Sequence, residues 1–183
     1  MGQKVNPFGF RLKDSKQWKS RWFASNPKQY RKNILEDYKI RRFLMDKLAL
    51  AGIADVRIER SINKMKIALV VSRPGVVIGR GGSGLELLKK DLIKMVSLPE
   101  PEKNLEIDVE EVKEPELSAR LVAVRVVQQL EKRMPYRRIA NKTVERVMSS
   151  GAKGVKIALA GRVGGTEIGR TETFKKGAIP LQT

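Results

Sequence analysis

Residues 76–84 read Val-Val-Ile-Gly-Arg-Gly-Gly-Ser-Gly, which places four glycines within six positions. Glycine suits a chain that must turn through positive φ or bring its backbone close to another group. The spacing satisfies two patterns. Residues 79–84 fit G-x-G-x-x-G, the turn that cradles a dinucleotide pyrophosphate. Residues 79–82 fit G-x-x-G, a turn that clamps the backbone of single-stranded nucleic acid. The two loops need different flanking elements, so the flanks decide between them.

A dinucleotide loop needs a buried strand leading directly into it and further βαβ units behind it. Pro74-Gly75 lies where that strand should run. No Gly-Lys-Ser/Thr follows the glycines, so a Walker-type phosphate loop is absent as well. Upstream, Asn26-Pro27 predicts a helix start, with Asn as cap, Pro at the first position and Gln29 completing a capping box. Its apolar stripe is read as Ile34, Leu35, Tyr38, Phe43, Leu44, Leu48 and Leu50, with Lys39, Arg41 and Arg42 outside it. Strands are expected at Val56–Arg60 and Met65–Ser72, joined by a turn at residues 61–64. Val76–Ile78 fit a short helix or strand. After the loop comes a helix carrying Leu85, Leu87, Leu88, Leu92, Ile93 and Met95, ended by Pro99 and Pro101. A strand from Leu105 to Val112 then sets Leu105, Ile107 and Val109 on one face and Glu106, Asp108 and Glu110 on the other, a solvated acidic row. The order helix, strand, strand, short helix, G-x-x-G, helix, strand is the αββααβ order of a type II KH domain. In that arrangement the glycines admit a sugar-phosphate chain, and amides at the next helix start face its phosphates. The residues alone leave open a glycine-rich helix–helix turn that holds nothing.

Lys113-Glu114-Pro115-Glu116 marks a boundary by its proline and by a change in charge balance. Beyond it, a helix at 117–134 is apolar nearly all round, which predicts burial. Pro135 separates it from a helix at 136–150 with Tyr136, Ile139, Ala140, Val144, Val147 and Met148 on its core face. Arg138, Lys142 and Arg146 form a basic row on the other side. Strands at 154–161 and about 167–175 flank the turn Gly161–Gly165. The expected organisation is α+β: a basic, aromatic, extended arm (1–24), a type II KH domain (25–114) and a smaller α/β domain of two helices on an antiparallel sheet (115–183).

The chain contains no cysteine and no histidine. Disulfides, thiol nucleophiles, imidazole bases and most zinc sites are thereby excluded. The reading is of a non-enzyme with no cofactor and no metal. No apolar run approaches the length of a membrane span, so no membrane partner is expected. The net charge is +18, a surplus that favours polyanions, nucleic acid foremost. It is unevenly spread: net +9 over residues 1–50, −1 over 51–116 and +10 over 117–183. The segment holding the glycine loop lacks surplus positive charge, so electrostatic affinity must come from the flanks.

Several stretches, in order over nearly the whole chain, resemble one family. They are MGQKVNPFGFRL (1–12), Trp18 with RWFA (21–24), RPGVVIGRGG (73–82), KEPELSARLVA (113–123), GAKGVKI (151–157), GRVGGTEIGRTE (161–172) and GAIPLQT (177–183). The family resembled is the bacterial-type small-subunit ribosomal protein number three. The resemblance implies a structural constituent of the head of the small subunit, cytoplasmic or organellar and ribosome-bound. It implies small-subunit ribosomal RNA and mRNA as partners, with small-subunit proteins ten and fourteen as neighbours. It carries a KH loop onto Gly79, Arg80, Gly81 and Gly82. Arg137 and Arg138 correspond to family residues at the mouth of the mRNA channel tied to unwinding. The third basic position there is Asn141, with Lys142 beside it. Related loops often carry two basic residues within G-x-x-G, where this chain has Arg80-Gly81. The family also continues past the position of Thr183. The residues expected to neutralise ribosomal RNA phosphates are Lys4, Arg11, Lys13, Lys16, Lys19 and Arg21 in the arm. In the last domain they are Arg146, Arg162, Arg170, Lys175 and Lys176. A free KH-type regulatory protein acting on mRNA is the alternative.

Overall fold

The computed structural model describes residues 3, 5–12, 14–96 and 99–180. It divides into two compact units, Met1–Lys113 and Glu114–Thr183. Lys4, Lys13 and the Leu181-Gln182-Thr183 end of the last family-like stretch lie outside the described residues.

The first unit is built on a four-stranded sheet in the order β1 (Ser20–Arg21), β2 (Ile53–Arg60), β3 (Met65–Val71), β4 (Leu105–Glu111). β2 and β3 form the expected antiparallel hairpin, closed by Ser61 N donating to Lys64 O at 2.8 Å. β4 runs parallel to β3 and β1 parallel to β2. Alternation sends Val56, Ile58, Met65, Ile67, Leu69, Val71 and Leu105 inward, where each is almost wholly buried. The helices α2 (Pro27–Lys47), α3 (Pro74–Ile78) and α4 (Ser83–Ile93) bring Ile40, Leu44, Val77, Leu88 and Leu92 to the same core. The order is αββααβ, with a short helix α5 (Pro101–Asn104) leading into β4.

The arm is only partly extended. Asn6 caps a short helix α1 (Pro7–Phe10), accepting from the amides of Phe8 and Gly9. Further on, Ser20–Arg21 adds a strand to the sheet, and Ile58 N donates to Lys19 O at 2.9 Å.

Helix α2 corrects the expected apolar stripe. Asn26 caps it as predicted, but Gln29 bonds forward to Asn33 and not back to the cap. Ile34, Leu35, Tyr38 and Leu50 are exposed, while Asn33, Glu36 and Asp37 are buried with Ile40 and Leu44. The reason is Arg60, which ends β2 on its inward face. Its Nη1 donates to Glu36 Oε2 at 2.9 Å, and its Nε and Nη2 donate to Asp37 Oδ1 at 2.9 and 2.5 Å. Asp37 Oδ2 also accepts from Ser20 Oγ at 3.0 Å and Trp22 Nε1 at 2.8 Å. Arg41, read as lying outside the stripe, is half-buried and donates to Val56 O, Lys19 O and Ser20 Oγ. Burial pulls its guanidinium below the ordinary arginine value, with Asp37 and Asp55 opposing. Paired and hydrogen-bonded charges of this kind tolerate burial, whereas a single survivor does not.

In the second unit, α6 (Ala119–Glu131) and α7 (Tyr136–Ser149) cover one face of the hairpin β5 (Gly154–Gly161) and β6 (Arg170–Gly177). The core is Val126, Ile139, Ala140 and Leu159, flanked by Leu130, Tyr136, Ile157, Val163 and Phe174. Two expectations are revised. Helix α6 is not buried all round, since Val124 and Val127 face solvent and only Leu121, Val122 and Val126 are buried. Two layers can cover only one stripe of a helix. The second strand begins at Arg170, because residues 162–169 form a longer loop with Gly164 and Gly165 at positive φ.

Two outcomes follow from the first unit, which holds both tryptophans. Arg60→Ala strands two buried carboxylates and should destabilise this unit by about 3–5 kcal/mol. Arg57→Ala, which breaks an exposed pair with Glu110, should cost about 0–1 kcal/mol. Urea titration followed by tryptophan fluorescence reads both, and equal shifts would refute the reading of the cluster. Gly84→Ala should also destabilise, because a Cβ there meets Val77 O at 2.7 Å and Ile78 O at 3.0 Å. Gly75→Ala opens onto free space and should be neutral or mildly stabilising in the same titration.

Candidate nucleic-acid interface

The glycine loop joins α3 to α4, and its glycines meet demands of backbone conformation and of space. Gly79 (φ 70°), Gly81 (φ 61°) and Gly82 (φ 84°) occupy the left-handed region that β-carbon-bearing residues avoid. Gly79 is additionally crowded, since a Cβ there would meet Gly84 N at 2.9 Å. Nothing lies within 4 Å of an added Cβ on Gly81 or Gly82, so the loop is open to solvent. Ser83 Oγ is turned back onto Arg80 O at 2.9 Å, and α4 starts with no side-chain cap on its first amides. The first of these amides, Ser83 N–H, donates to Arg80 O; amides at a helix start left without a side-chain cap suit a phosphate. Arg80 is exposed and supplies the only charge within G-x-x-G. Beside the loop, Val76, Ile78 and Leu87 are exposed. Of the leucines on α4, only Leu88 and Leu92 are buried. The loop is thus bordered by apolar surface on which a base could rest.

The arm residues divide. Arg11 is exposed and folds onto its own helix, with Nη1 donating to Pro7 O at 3.0 Å. Lys16 is exposed. Lys19 pairs with Asp55 at 3.1 Å and Arg21 with Glu59 at 3.2 Å, so both are engaged by β2. Exposed pairs of this kind are weak and yield to a better anion. Trp22 is held by Asp37 and by Tyr30, whose ring centroid lies 5.4 Å away, while Phe10, Trp18 and Phe23 stand exposed. Trp18, Trp22, Tyr30, Ile34 and Tyr38 line a shallow groove of about 430 Å³ on this unit.

Helix α7 carries the mRNA-facing candidates. Its buried face is Ile139, Ala140, Thr143, Val144 and Val147. At 3.6 residues per turn, Arg138 and Lys142 then point directly away from the sheet. Both are exposed and, among the described residues, neither forms an ion pair. Arg137 differs from its neighbour. Its guanidinium lies over the Tyr136 ring at 5.7 Å, and its Nε donates to the Tyr136 hydroxyl at 3.2 Å. That hydroxyl donates in turn to Glu172 Oε1 at 2.8 Å. The bond to Tyr136, helped by the charge of Glu172, raises Arg137 above the ordinary arginine value. Asn141, at the third position of the motif, is exposed.

The remaining candidates surround the hairpin. Arg146 is exposed at the end of α7. Arg162 Nε donates to Thr166 O at 3.0 Å, and the guanidinium borders a cleft of about 630 Å³ that also touches Arg133 and Tyr136. Arg170 reaches Glu172 at 3.9 Å. Lys175 and Lys176, adjacent in sequence, project to opposite faces of β6. Lys175 pairs across the ladder with Lys156, a residue that sequence reasoning passed over. Cross-strand register, which one strand's sequence does not carry, is what brings these two together.

Among the described residues, no group of histidine, cysteine or acidic side chains is placed to hold a metal. None of the described helices is long and apolar enough to cross a membrane.

Residues 39–117 match the KH domain family, and residues 126–183 match the family described as Ribosomal protein S3, C-terminal domain. Small ribosomal subunit protein uS3 of Caldicellulosiruptor saccharolyticus is 49% identical over 183 residues, covering 100% of this chain and 80% of that protein. The uS3 of Clostridium novyi is 48% identical with the same coverage. That of Clostridioides difficile is 46% identical over 183 residues, which is 66% of its length. With a KH unit, an S3-type second unit and relatives aligned from one end of the sequence to the other, the chain belongs to the small ribosomal subunit protein uS3 family, whose members are structural proteins of the ribosome and not enzymes.

Proposed function

We propose that this chain is an RNA-binding structural component of the small-subunit head, ribosome-bound in the cytoplasm, which grips ribosomal RNA and borders the path of mRNA. The observation that carries the reading is the outward face of α7, where Arg138 and Lys142 form no ion pair among the described residues, on a unit with a large cationic surplus. Phosphates of folded ribosomal RNA are neutralised by Arg11, Lys16, Lys19 and Arg21 from the arm, with Lys4 and Lys13 of the same segment. Arg146, Arg162, Arg170, Lys175 and Lys176 do the same in the second unit. Arg137, Arg138 and Lys142 face mRNA at the channel mouth and help to open its structured regions, with one fewer cation than the family motif because of Asn141. The G-x-x-G loop, with Val76, Ile78 and Leu87 beside it, offers a clamp for a single strand. The aromatic groove between the arm and α2 is the contact for a neighbouring head protein, such as small-subunit protein ten or fourteen. Its apolar row along α2 would otherwise face water.

If about ten phosphates are neutralised, log Kd against log salt should have a slope of magnitude roughly 7–9 on a small-subunit RNA fragment. Arg138→Gln should reduce that magnitude by about 0.7–0.9, and Asn141→Lys should raise it by the same amount. A slope near zero removes the electrostatic mechanism. Sedimentation of a tagged chain with small subunits supports the ribosomal reading. A tight complex with a short single-stranded message away from ribosomes, lost on Gly82→Asp, would instead establish the free regulatory alternative.

A further inference from the structure

We infer that the outer face of the β5–β6 hairpin is a second phosphate-binding surface, on the side of the C-terminal unit opposite the α7 row. The inference rests on the RNA-binding reading above and adds to it a face, a residue and a geometry. Helices α6 and α7 cover one side of this hairpin, where Ile157, Leu159 and Phe174 are packed. Lys156, Ala158, Ala160, Thr171, Thr173 and Lys175 alternate to the other side, and all six are exposed. That side carries no acidic residue, since Glu172 points inward to Tyr136.

The sheet of the first unit supplies the comparison. Its exposed face also carries cations, but each is matched by an acid. Lys19 pairs with Asp55, Arg21 with Glu59, Arg57 with Glu110 at 3.1 Å and Lys66 with Asp108 at 2.6 Å. A face matched in this way has no net positive charge, and each of its cations must give up an ion pair to meet a phosphate. On the second sheet Lys156 and Lys175 are directly opposite each other in the ladder. Among the described residues neither has an ionic partner. Like charges at opposed positions weaken a hairpin, so the pair works against the fold unless an anion lies across it. The short side chains that follow along the same face, Ala158 opposite Thr173 and Ala160 opposite Thr171, leave it flat enough for a sugar-phosphate backbone to lie along it. With Arg138 and Lys142 pointing away from the other side of the same two-layer unit, the unit is cationic on both of its broad faces. It can therefore hold two RNA segments at once, with the protein layer between them.

Lysine acylation of the full chain, with and without a short A-form RNA duplex and read by mass spectrometry, tests this without any substitution. Lys156 and Lys175 should become protected together with Lys142, while Lys66, held by Asp108, should not change. In an Arg138→Gln, Lys142→Gln, Arg146→Gln variant, protection of Lys156 and Lys175 should persist. Protection of Lys142 with Lys156 and Lys175 as reactive as before overturns the second surface and leaves the α7 reading standing. No protection at any of them overturns both. Loss of protection at Lys156 in the α7 variant overturns the independence of the two faces. Lys156→Gln with Lys175→Gln should also lower the magnitude of the salt slope by about 1.4–1.8, two contacts at about 0.7–0.9 each. An unchanged slope overturns the proposal.

Discussion

A single carboxylate organises the first unit. Asp37 accepts from Ser20 and Trp22 in the arm and from Arg60 at the end of β2, while its own backbone sits in α2. Three segments far apart in sequence therefore meet at one buried anion. Charges of this kind are expensive to remove from water and tolerate it only when every partner is in place. The requirement makes the cluster selective. The arm has one seat, fixed by an acid that an apolar contact at the same place would not demand. Arg41, bonded to Val56 O, Lys19 O and Ser20 Oγ, closes the seat from the next turn of the helix. Arg11 and Lys16 are therefore displayed from an anchored root.

The two units handle charge in opposite ways. The sheet of the first unit spends its cations on its own acids, and its glycine loop carries one arginine. The second unit pairs Arg125 with Glu116 and Arg170 with Glu172, but among the described residues Arg138 and Lys142 on the helix and Lys156 and Lys175 on the sheet form no ion pair. The surplus positive charge then belongs to the flanks, while the loop contributes shape through three glycines at positive φ. The uneven distribution of the +18 charge along the chain is the one-dimensional trace of that division.

Element order was legible in the sequence because local rules fix it. Asn26-Pro27 starts a helix by capping chemistry, residues 61–64 close a hairpin, and the glycines at 79–84 require a turn. The inward face of α2 was not legible. Periodicity counts Ile34, Leu35 and Tyr38 as core and Glu36 and Asp37 as surface, and only Arg60, more than twenty residues away, reverses the assignment. The same limit applies to the candidate site. Arg138 and Lys142 could be placed on an outer helix face from spacing alone. The tether on Arg137 depends on Glu172 from another element, and the meeting of Lys156 with Lys175 depends on register.

Arg137 and Arg138 are adjacent in sequence and identical in chemistry, yet the chain Arg137–Tyr136–Glu172 makes them mechanically unlike. The first is braced through a phenol to the hairpin, so few rotamers remain to it and little entropy is lost when it meets a phosphate. Among the described residues the second has no such bond, so it keeps more of its rotamers. A phosphate meeting this helix would therefore find a stiff post beside a compliant one.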